Sequence, residues 1–577
     1  MRQTLSQLLR EVKQYKWLAI GTPLVILLEV ALEVLIPGRM GALIDVGLAS
    51  GDNAYVTRAG TEIIVMAVIA LALGALSAVL GSLAANGFAK NLRITLLHKI
   101  SRFSFQNKDK FSTPSLVTRV TQDVTYLQQS FMMGIRLLMR GPAMLVLATL
   151  MAVRVSGRLS LILVAATVFI AIAVVLLVRQ AFPRFAVMLE RYDDLNASTQ
   201  ENLIAIRVAK AFARGKFENQ KFEDSANQLR RAQFRAEKFF ILSMPLMTLT
   251  MYGCLFAAAY FGGRDIAFGN LEAGQLIAFL SYVTSVLHAL MLLSIAFVSL
   301  VLSAASAKRV TEVLREVPSI PENTRSNLAL QDGSVTLSHV DFSYVGDPER
   351  LTLRDICLRV EPGQVVGILG GAGAGKTSLV QLLPRLYDVT GGIVTVGGYD
   401  VRGYATATLR GAIGMVLQKN LLFSGTIREN LLWGDADATQ ADMDEACAAA
   451  CAKEFIDSFP EGYDTVLGQG GINLSGGQKQ RLCIARALLK KPKILILDDA
   501  TSAVDTTTDA KIREAFATRY KGVTKFIVAQ RVASIREADQ IVVLHEGRID
   551  AVGTHETLLE NNKIYQEIYQ SQVLRDE

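Results

Sequence analysis

The sequence predicts two parts: an all-α polytopic membrane domain of six long helices and, after it, a soluble α/β domain. Three observations predict this. Six apolar stretches long enough to cross a bilayer, which takes about 20 residues as a helix, lie before residue 305, and none follows. Residues 317–333 turn polar, with Pro318, Pro321 and Asn323, and read as a linker. Beyond them, residues 334–340 alternate apolar and polar side chains as a half-buried strand does. The expected division is therefore 1–316, a linker 317–333, and 334–577. Composition agrees: 51% hydrophobic with 20% charged residues and a mean hydropathy of +0.32 is too apolar for a soluble enzyme and too charged for a bare bundle.

The spans lie near residues 17–36, 62–84, 131–153, 159–178, 239–262 and 276–304. The gap 85–130 holds seven Lys/Arg against two Asp/Glu, and the gap 179–238 twelve against eight. Both have helical periodicity, so the membrane helices are expected to run on into water. The remaining loops are short and poor in Lys/Arg, which puts the two long gaps in the cytoplasm. Six crossings then place both termini and the soluble domain there too. Arg2, Arg10, Lys13 and Lys16 alternate with Leu5, Leu8, Leu9 and Val12, which predicts an amphipathic helix on the cytoplasmic surface, not a cleaved signal peptide.

Net charge is +7, from 60 basic and 53 acidic residues, too mild an excess to argue for nucleic acid. The five cysteines form no C-x-x-C pair and fit a reducing compartment. Cys447 and Cys451, four apart, are expected on one helix face. Glu29 and Glu33 share a face of the first span. A charge at mid-bilayer costs at least ~3 kcal/mol, so they are expected to face a cavity, attracting cationic substrate, to be hydrated near the outer leaflet, or to pair with Arg136 or Arg140. His288, in the sixth span, is a candidate cavity residue or an interior hydrogen-bond partner. Pro37-Gly38 is expected to end or kink the first span.

The strongest chemical signal is an apolar strand, Val365-Val366-Gly367-Ile368-Leu369, running into Gly370-Gly371-Ala372-Gly373-Ala374-Gly375-Lys376-Thr377-Ser378 and then a helix. This is a P-loop in its required context. Glycines let backbone N–H groups wrap phosphates, and the helix start adds a favourable dipole. Lys376 neutralises β- and γ-phosphate oxygens, and the Thr377 hydroxyl serves Mg²⁺. A second apolar strand, Ile494-Leu495-Ile496-Leu497, ends in Asp498, a carboxylate positioned to hold Mg²⁺ through water.

Between these lies Leu474-Ser475-Gly476-Gly477-Gln478-Lys479-Gln480-Arg481, which resembles the signature of ATP-binding cassette (ABC) ATPases. Other elements of that family appear in order. Tyr344 matches the aromatic that stacks on adenine, and Gln418 the glutamine that senses Mg²⁺ and nucleotide. Ser502-Ala503-Val504-Asp505 resembles the segment that crosses the dimer interface, with Asp505 its acidic member. Over the whole chain the layout is similar to an ABC exporter half-transporter. The resemblance implies ATP and Mg²⁺ as cofactors, with Thr377, Gln418 and Asp498 around the metal. It implies a signature (Ser475, Gly476, Gly477, Gln478) that acts on ATP bound to a partner cassette, so a dimer is needed. It also implies short coupling helices near residues 112–117 and 203–211.

Three departures from the family pattern stand out. The general base, normally Glu, is Asp499. One methylene fewer withdraws the carboxylate by roughly 1.5 Å, while proton abstraction needs about 2.6–3.2 Å contact. The switch histidine is Gln530, which hydrogen-bonds but carries no imidazolium charge. The acidic residue before the signature is Gln469. Lys376, Asp498, Gln418 and the signature remain. The expectation is a degenerate site that binds Mg-ATP and hydrolyses it slowly, in a chain resembling one half of bacterial heterodimeric multidrug exporters. The expected partner is a homologous half-transporter with Glu and His at these positions, and the expected setting a bacterial cytoplasmic membrane, with lipid and a lipophilic, drug-like small molecule as further partners. A metal–siderophore importer, a lipid flippase and a nucleotide-gated regulatory or channel subunit are the alternatives. The spans exclude a soluble cassette acting on DNA or ribosomes.

Overall fold

In a bilayer no water satisfies backbone N–H and C=O groups, so apolar runs bond internally as helices. The computed structural model describes residues 2–323, 326–500 and 503–576. Before the first strand the elements are α1 (Arg2–Arg10), α2 (Lys16–Ala42), α3 (Asn53–Ser101), α4 (Phe105–Lys110), α5 (Thr113–Thr118), α6 (Val124–Val155), α7 (Gly157–Ala211), α8 (Gly215–Ala267) and α9 (Ala273–Arg315). The chain divides into two units, Met1–Ser101 with Ser112–Glu316, and Arg102–Phe111 with Val317–Glu577.

In the first unit, six helical segments are long and apolar enough to span a membrane. α7 has 55 residues and α8 has 53. At 1.5 Å per residue each is about 80 Å long, far beyond a hydrocarbon core of about 30 Å. The expected extensions into water are therefore continuous helix. The core joins Ile26, Val30 and Val34 of α2 to Ala148 and Ala152 of α6 and to Phe279, Tyr282 and Val283 of α9. α2 and α9 approach closely at glycines: a Cβ on Gly41 would stand 2.7 Å from the Gly274 carbonyl. Asp45 Oδ1 then accepts the Gly274 N–H at 2.5 Å.

Pro37 does not end its helix. α2 runs through it to Ala42 and into a π-helical turn at Leu43–Leu48. Arg140 of α6 bonds both acidic residues of α2, Glu29 and, at 2.6 Å, Glu33. Of the two alternatives, the contacts are those of the pairing with Arg140. His288 lies on an exposed face of α9, with no interior hydrogen-bond partner among the described residues. Of the α1 region, Leu8 and Val12 are buried while Leu5 and Leu9 stay exposed.

The second unit opens with α4, between two membrane helices in sequence. Ser104 caps it, accepting from the Asn107 N–H. Asn107 Nδ2 donates to the Val317 carbonyl at 3.0 Å, and Asn107 Oδ1 accepts the Ser319 N–H at 2.9 Å. Tyr387 donates to Asp109 Oδ2 at 2.8 Å. A short helix does stand near the expected 112–117, α5 (Thr113–Thr118), and it belongs to the membrane unit; residues 105–110 form a further short helix that belongs with the cassette. Residues 203–211 form no separate helix and are the last turns of α7. The 317–323 segment and its continuation 326–333 contain neither helix nor strand.

The strands are β1 (Val335–Phe342), β2 (Leu353–Val360), β3 (Val365–Gly370), β4 (Gly391–Val396), β5 (Tyr399–Asp400), β6 (Ile413–Val416), β7 (Gly425–Thr426), β8 (Val466–Leu467), β9 (Ile494–Asp498), β10 (Thr524–Val528), β11 (Gln540–His545) and β12 (Arg548–Gly553). One sheet runs β12-β11-β3-β10-β9-β6, parallel except for its β12 edge. The strands β3 and β9 read as near-continuous apolar runs because such a sheet is buried on both faces. A second, antiparallel sheet runs β2-β1-β4-β5. A core including Val340, Phe342, Ile356, Ile368, Leu379 and Phe526 joins the two. A separate core holds Cys447, Phe455, Leu482 and Ile484 in the region of the signature helix. Cys447 and Cys451 do not share a helix face: the helix Gln440–Ala449 stops first, and Cys451 turns with φ +52°. All five cysteines are free.

Candidate nucleotide site

In an open parallel sheet, ligands bind beyond the carboxyl ends of the strands. Four strands deliver the predicted residues to that edge. β3 runs into the P-loop, β9 ends at Asp498 with Asp499 next, and Gln418 and Gln530 each follow two residues after β6 and β10. They converge on a cavity of about 420 Å³ lined by Tyr344, residues 372–378, Gln418, Asp498, Asp499 and Gln530.

The loop conformation needs glycine. Gly373 and Gly375 have φ of +78° and +97°, and a Cβ on Gly375 would stand 2.6 Å from Leu353. The helix α10 (Lys376–Leu382) follows at once. Lys376 Nζ donates to the Gly370 and Gly371 carbonyls at 2.8 Å each, which holds the ammonium at the mouth of the loop. Burial lowers its pKa from the ordinary 10.5, against the pull of Asp498 and Asp499.

Asp498 is buried and accepts the Thr377 hydroxyl at 3.1 Å through Oδ1. Its Oδ2 is buried with no hydrogen-bond partner among the described residues. A buried carboxylate oxygen without a donor, beside a hydroxyl and a phosphate loop, fits a Mg²⁺ ion held through water. Burial pushes its pKa above the ordinary 3.8, and the Asp499 charge adds to the shift, against the Thr377 bond. Tyr344 packs edge-on against Phe342 and Tyr387, with centroids 4.8 and 5.1 Å away, and its hydroxyl is 2.8 Å from Ser378 Oγ.

The two principal departures from the family pattern touch each other: Gln530 Nε2 donates to Asp499 Oδ2 at 2.9 Å. Asp499 also has a left-handed backbone, φ +53°, while its N–H continues the sheet pairing to the Val528 carbonyl at 3.0 Å. Aspartate tolerates that region better than longer side chains do.

The signature opens the helix Gly476–Leu489 as a capping box. Ser475 Oγ accepts the Gln478 N–H and Gln478 Oε1 accepts the Ser475 N–H. Ser475 and Gly476 are exposed. Asp505 caps the helix Thr506–Thr518, accepting the Thr508 N–H at 2.9 Å. Ser502, of the same expected interface segment, lies outside the described residues.

Two glutamines had no assigned role in the sequence reading. Gln480 Oε1 accepts the Ala503 N–H at 3.0 Å and its Nε2 reaches the Asp499 carbonyl at 3.4 Å, tying the signature helix to the loop after β9. Gln572, in the last helix, donates to the Gln530 carbonyl and accepts the Val532 N–H, both at 2.8 Å. Gln480 lies within the signature string, which hints at it; nothing local to the sequence marks Gln572.

Residues 20–291 match the family described as ABC transporter transmembrane region, and residues 353–502 the family described as ABC transporter. The uncharacterized ABC transporter ATP-binding protein YfiB of Bacillus subtilis (strain 168) is 35% identical over 566 residues, 98% of each chain. This chain is an ABC half-transporter. A fatty acid ABC transporter ATP-binding/permease protein of Mycobacterium bovis is 34% identical over 474 residues, 82% of this half-transporter and 75% of the relative. A bacterial Atm1-family ABC exporter solved with ATP bound superposes with a TM-score of 0.83 at 24% identity, covering 97% and 98% of the two chains. The half-transporter therefore has the exporter-type fold, with a multi-pass membrane domain fused to an ABC ATPase domain.

Proposed function

We propose that this half-transporter is one side of a heterodimeric, ATP-driven exporter of lipophilic or drug-like compounds, and that its own ATP site is degenerate. The observation that carries this reading is the hydrogen bond from Gln530 to Asp499. A general base must reach the attacking water. Here the carboxylate is one methylene short, and one of its oxygens is engaged by an amide that carries no positive charge. A misplacement of ~1 Å costs about a hundredfold in rate. Lys376, Thr377, Asp498, Gln418 and Tyr344 bind Mg-ATP in this chain. Its signature completes the site of a homologous partner that retains glutamate and histidine.

The arrangement of Lys/Arg supports both termini and the cassette on the cytoplasmic side, the bacterial relatives support a bacterial cytoplasmic membrane, and the lack of helix and strand among the described residues of 317–333 supports a linker there. The name of the mycobacterial relative supports a lipophilic substrate. The pairing of Glu29 and Glu33 with Arg140 leaves little bias toward cations.

The test isolates this site by replacing the partner's base glutamate with glutamine. Asp499→Glu with Gln530→His then raises the residual ATPase rate about a hundredfold. Rapid turnover by a symmetrical dimer of the wild-type chain, lost in Asp499→Asn, would refute the reading. Efflux of a lipophilic dye from inside-out vesicles checks direction and substrate class.

A further inference from the structure

The antiparallel sheet gathers three metal-ligating side chains away from the nucleotide site. Along β1 and β2 the pairing runs Leu337↔Leu358, Val340↔Ile356 and Phe342↔Leu353, with a shift at each step. The first step inserts an extra residue in β1 and the second an extra residue in β2, so two bulges follow one another on opposite strands of one hairpin. His339 and Asp355 sit at these bulges with left-handed backbone, φ +48° and +51°. In unbroken alternation from the buried Leu337, His339 would point inward and Val340 outward. The bulge turns it out, onto the same face as Asp355 and Cys357, and all three are exposed.

Their ligand atoms lie within 4.8 Å of one another. His339 Nδ1 is 3.6 Å from Cys357 Sγ and 2.6 Å from Asp355 Oδ1. Tetrahedral Zn²⁺ has Zn–S of about 2.3 Å and Zn–N of about 2.0 Å, which sets sulfur and nitrogen roughly 3.5 Å apart. The Cys–His pair already has that spacing. The His–Asp contact opens by about 0.7 Å to reach the roughly 3.3 Å of an N–Zn–O pair, and both side chains have the free solvent face to do so. Sulfur, imidazole and carboxylate select a borderline cation over Mg²⁺. Binding releases the Cys357 thiol proton to solvent, and water fills the fourth position.

We propose that His339, Asp355 and Cys357 form a Zn²⁺-class site on the outer face of the cassette, separate from the Mg-ATP site. Both side chains on the bulges need a left-handed backbone, which asparagine tolerates, so His339→Asn and Asp355→Asn test the ligands with the backbone kept. The probe is Co²⁺, added to the purified full chain in detergent after chelator treatment, in reductant and without nucleotide. One equivalent binds with the visible absorption of four-coordinate Co²⁺ and a near-ultraviolet thiolate band, and one equivalent of Zn²⁺ removes both. Cys357→Ser abolishes the thiolate band, and His339→Asn and Asp355→Asn each loosen Zn²⁺ by at least about tenfold. Binding of a fluorescent ATP analogue by every variant reports that the cassette is folded. Absence of a thiolate band in the wild type, its survival in Cys357→Ser, or Zn²⁺ affinity unmoved by both asparagine variants overturns the proposal.

Discussion

The phosphate side and the water side of the nucleotide cavity are built to different standards. On the phosphate side, backbone geometry does the holding. Gly373 and Gly375 supply positive φ, Lys376 is fixed by two carbonyls, and Asp498 by Thr377. On the water side, side-chain length does the work, and Asp499 with Gln530 is a short carboxylate bonded to a neutral amide. On the proposed reading, affinity and chemistry in this cavity depend on different atoms and can change separately.

The largest expected effect breaks the strong side. Lys376→Ala weakens binding of a fluorescent ATP analogue by at least about a hundredfold, since charge-assisted contacts to phosphate are lost. Next comes Gln530→Ala, which frees the Asp499 carboxylate without lengthening it. Turnover at this site rises less than about tenfold, well short of the Asp499→Glu/Gln530→His pair, and ATP affinity stays put. If Gln530→Ala alone matches the double variant, reach is not what limits the base.

A pH series sharpens the same contrast. On the proposed reading Asp498 holds Mg²⁺ in its ionised form. Its pKa is raised by burial and by the Asp499 charge, so affinity falls as pH drops, beginning at a higher pH than an ordinary aspartate at 3.8 would set. Asp499→Asn removes the second cause and moves the fall to lower pH, as titration of analogue binding between pH 4 and pH 7, roughly, will read. The smallest effect is expected from Gln572→Ala. It removes two hydrogen bonds from the 530–532 loop and costs about 1 kcal/mol, visible as a lower melting temperature of the cassette.

The sequence reading reaches far into the strong side and less far elsewhere. The P-loop and the Asp498 strand are legible because glycine positions and four consecutive buried aliphatics are local consequences of local structure. The long helices are legible for the same reason. What the reading misses depends on tertiary partners. The short helix Phe105–Lys110 is not marked in the sequence, because the partners of Asn107, the Val317 carbonyl and the Ser319 N–H, lie some 210 residues away. Arg140 is one of two arginines that periodicity alone offered to Glu29 and Glu33, and only the packing of α2 on α6 chooses it. His339, Asp355 and Cys357 span 16–18 residues of sequence in part, and two one-residue bulges bring them together; no alternation pattern reports a bulge in advance.

The chain enters the cassette twice, first through Phe105–Lys110 and finally at Val317. Severing the polypeptide within 317–333 therefore does not release the ATPase. The fragment upstream still carries the helix whose Asp109 is bonded to Tyr387, so the two pieces of a nicked molecule stay together through purification as long as that small plug remains seated.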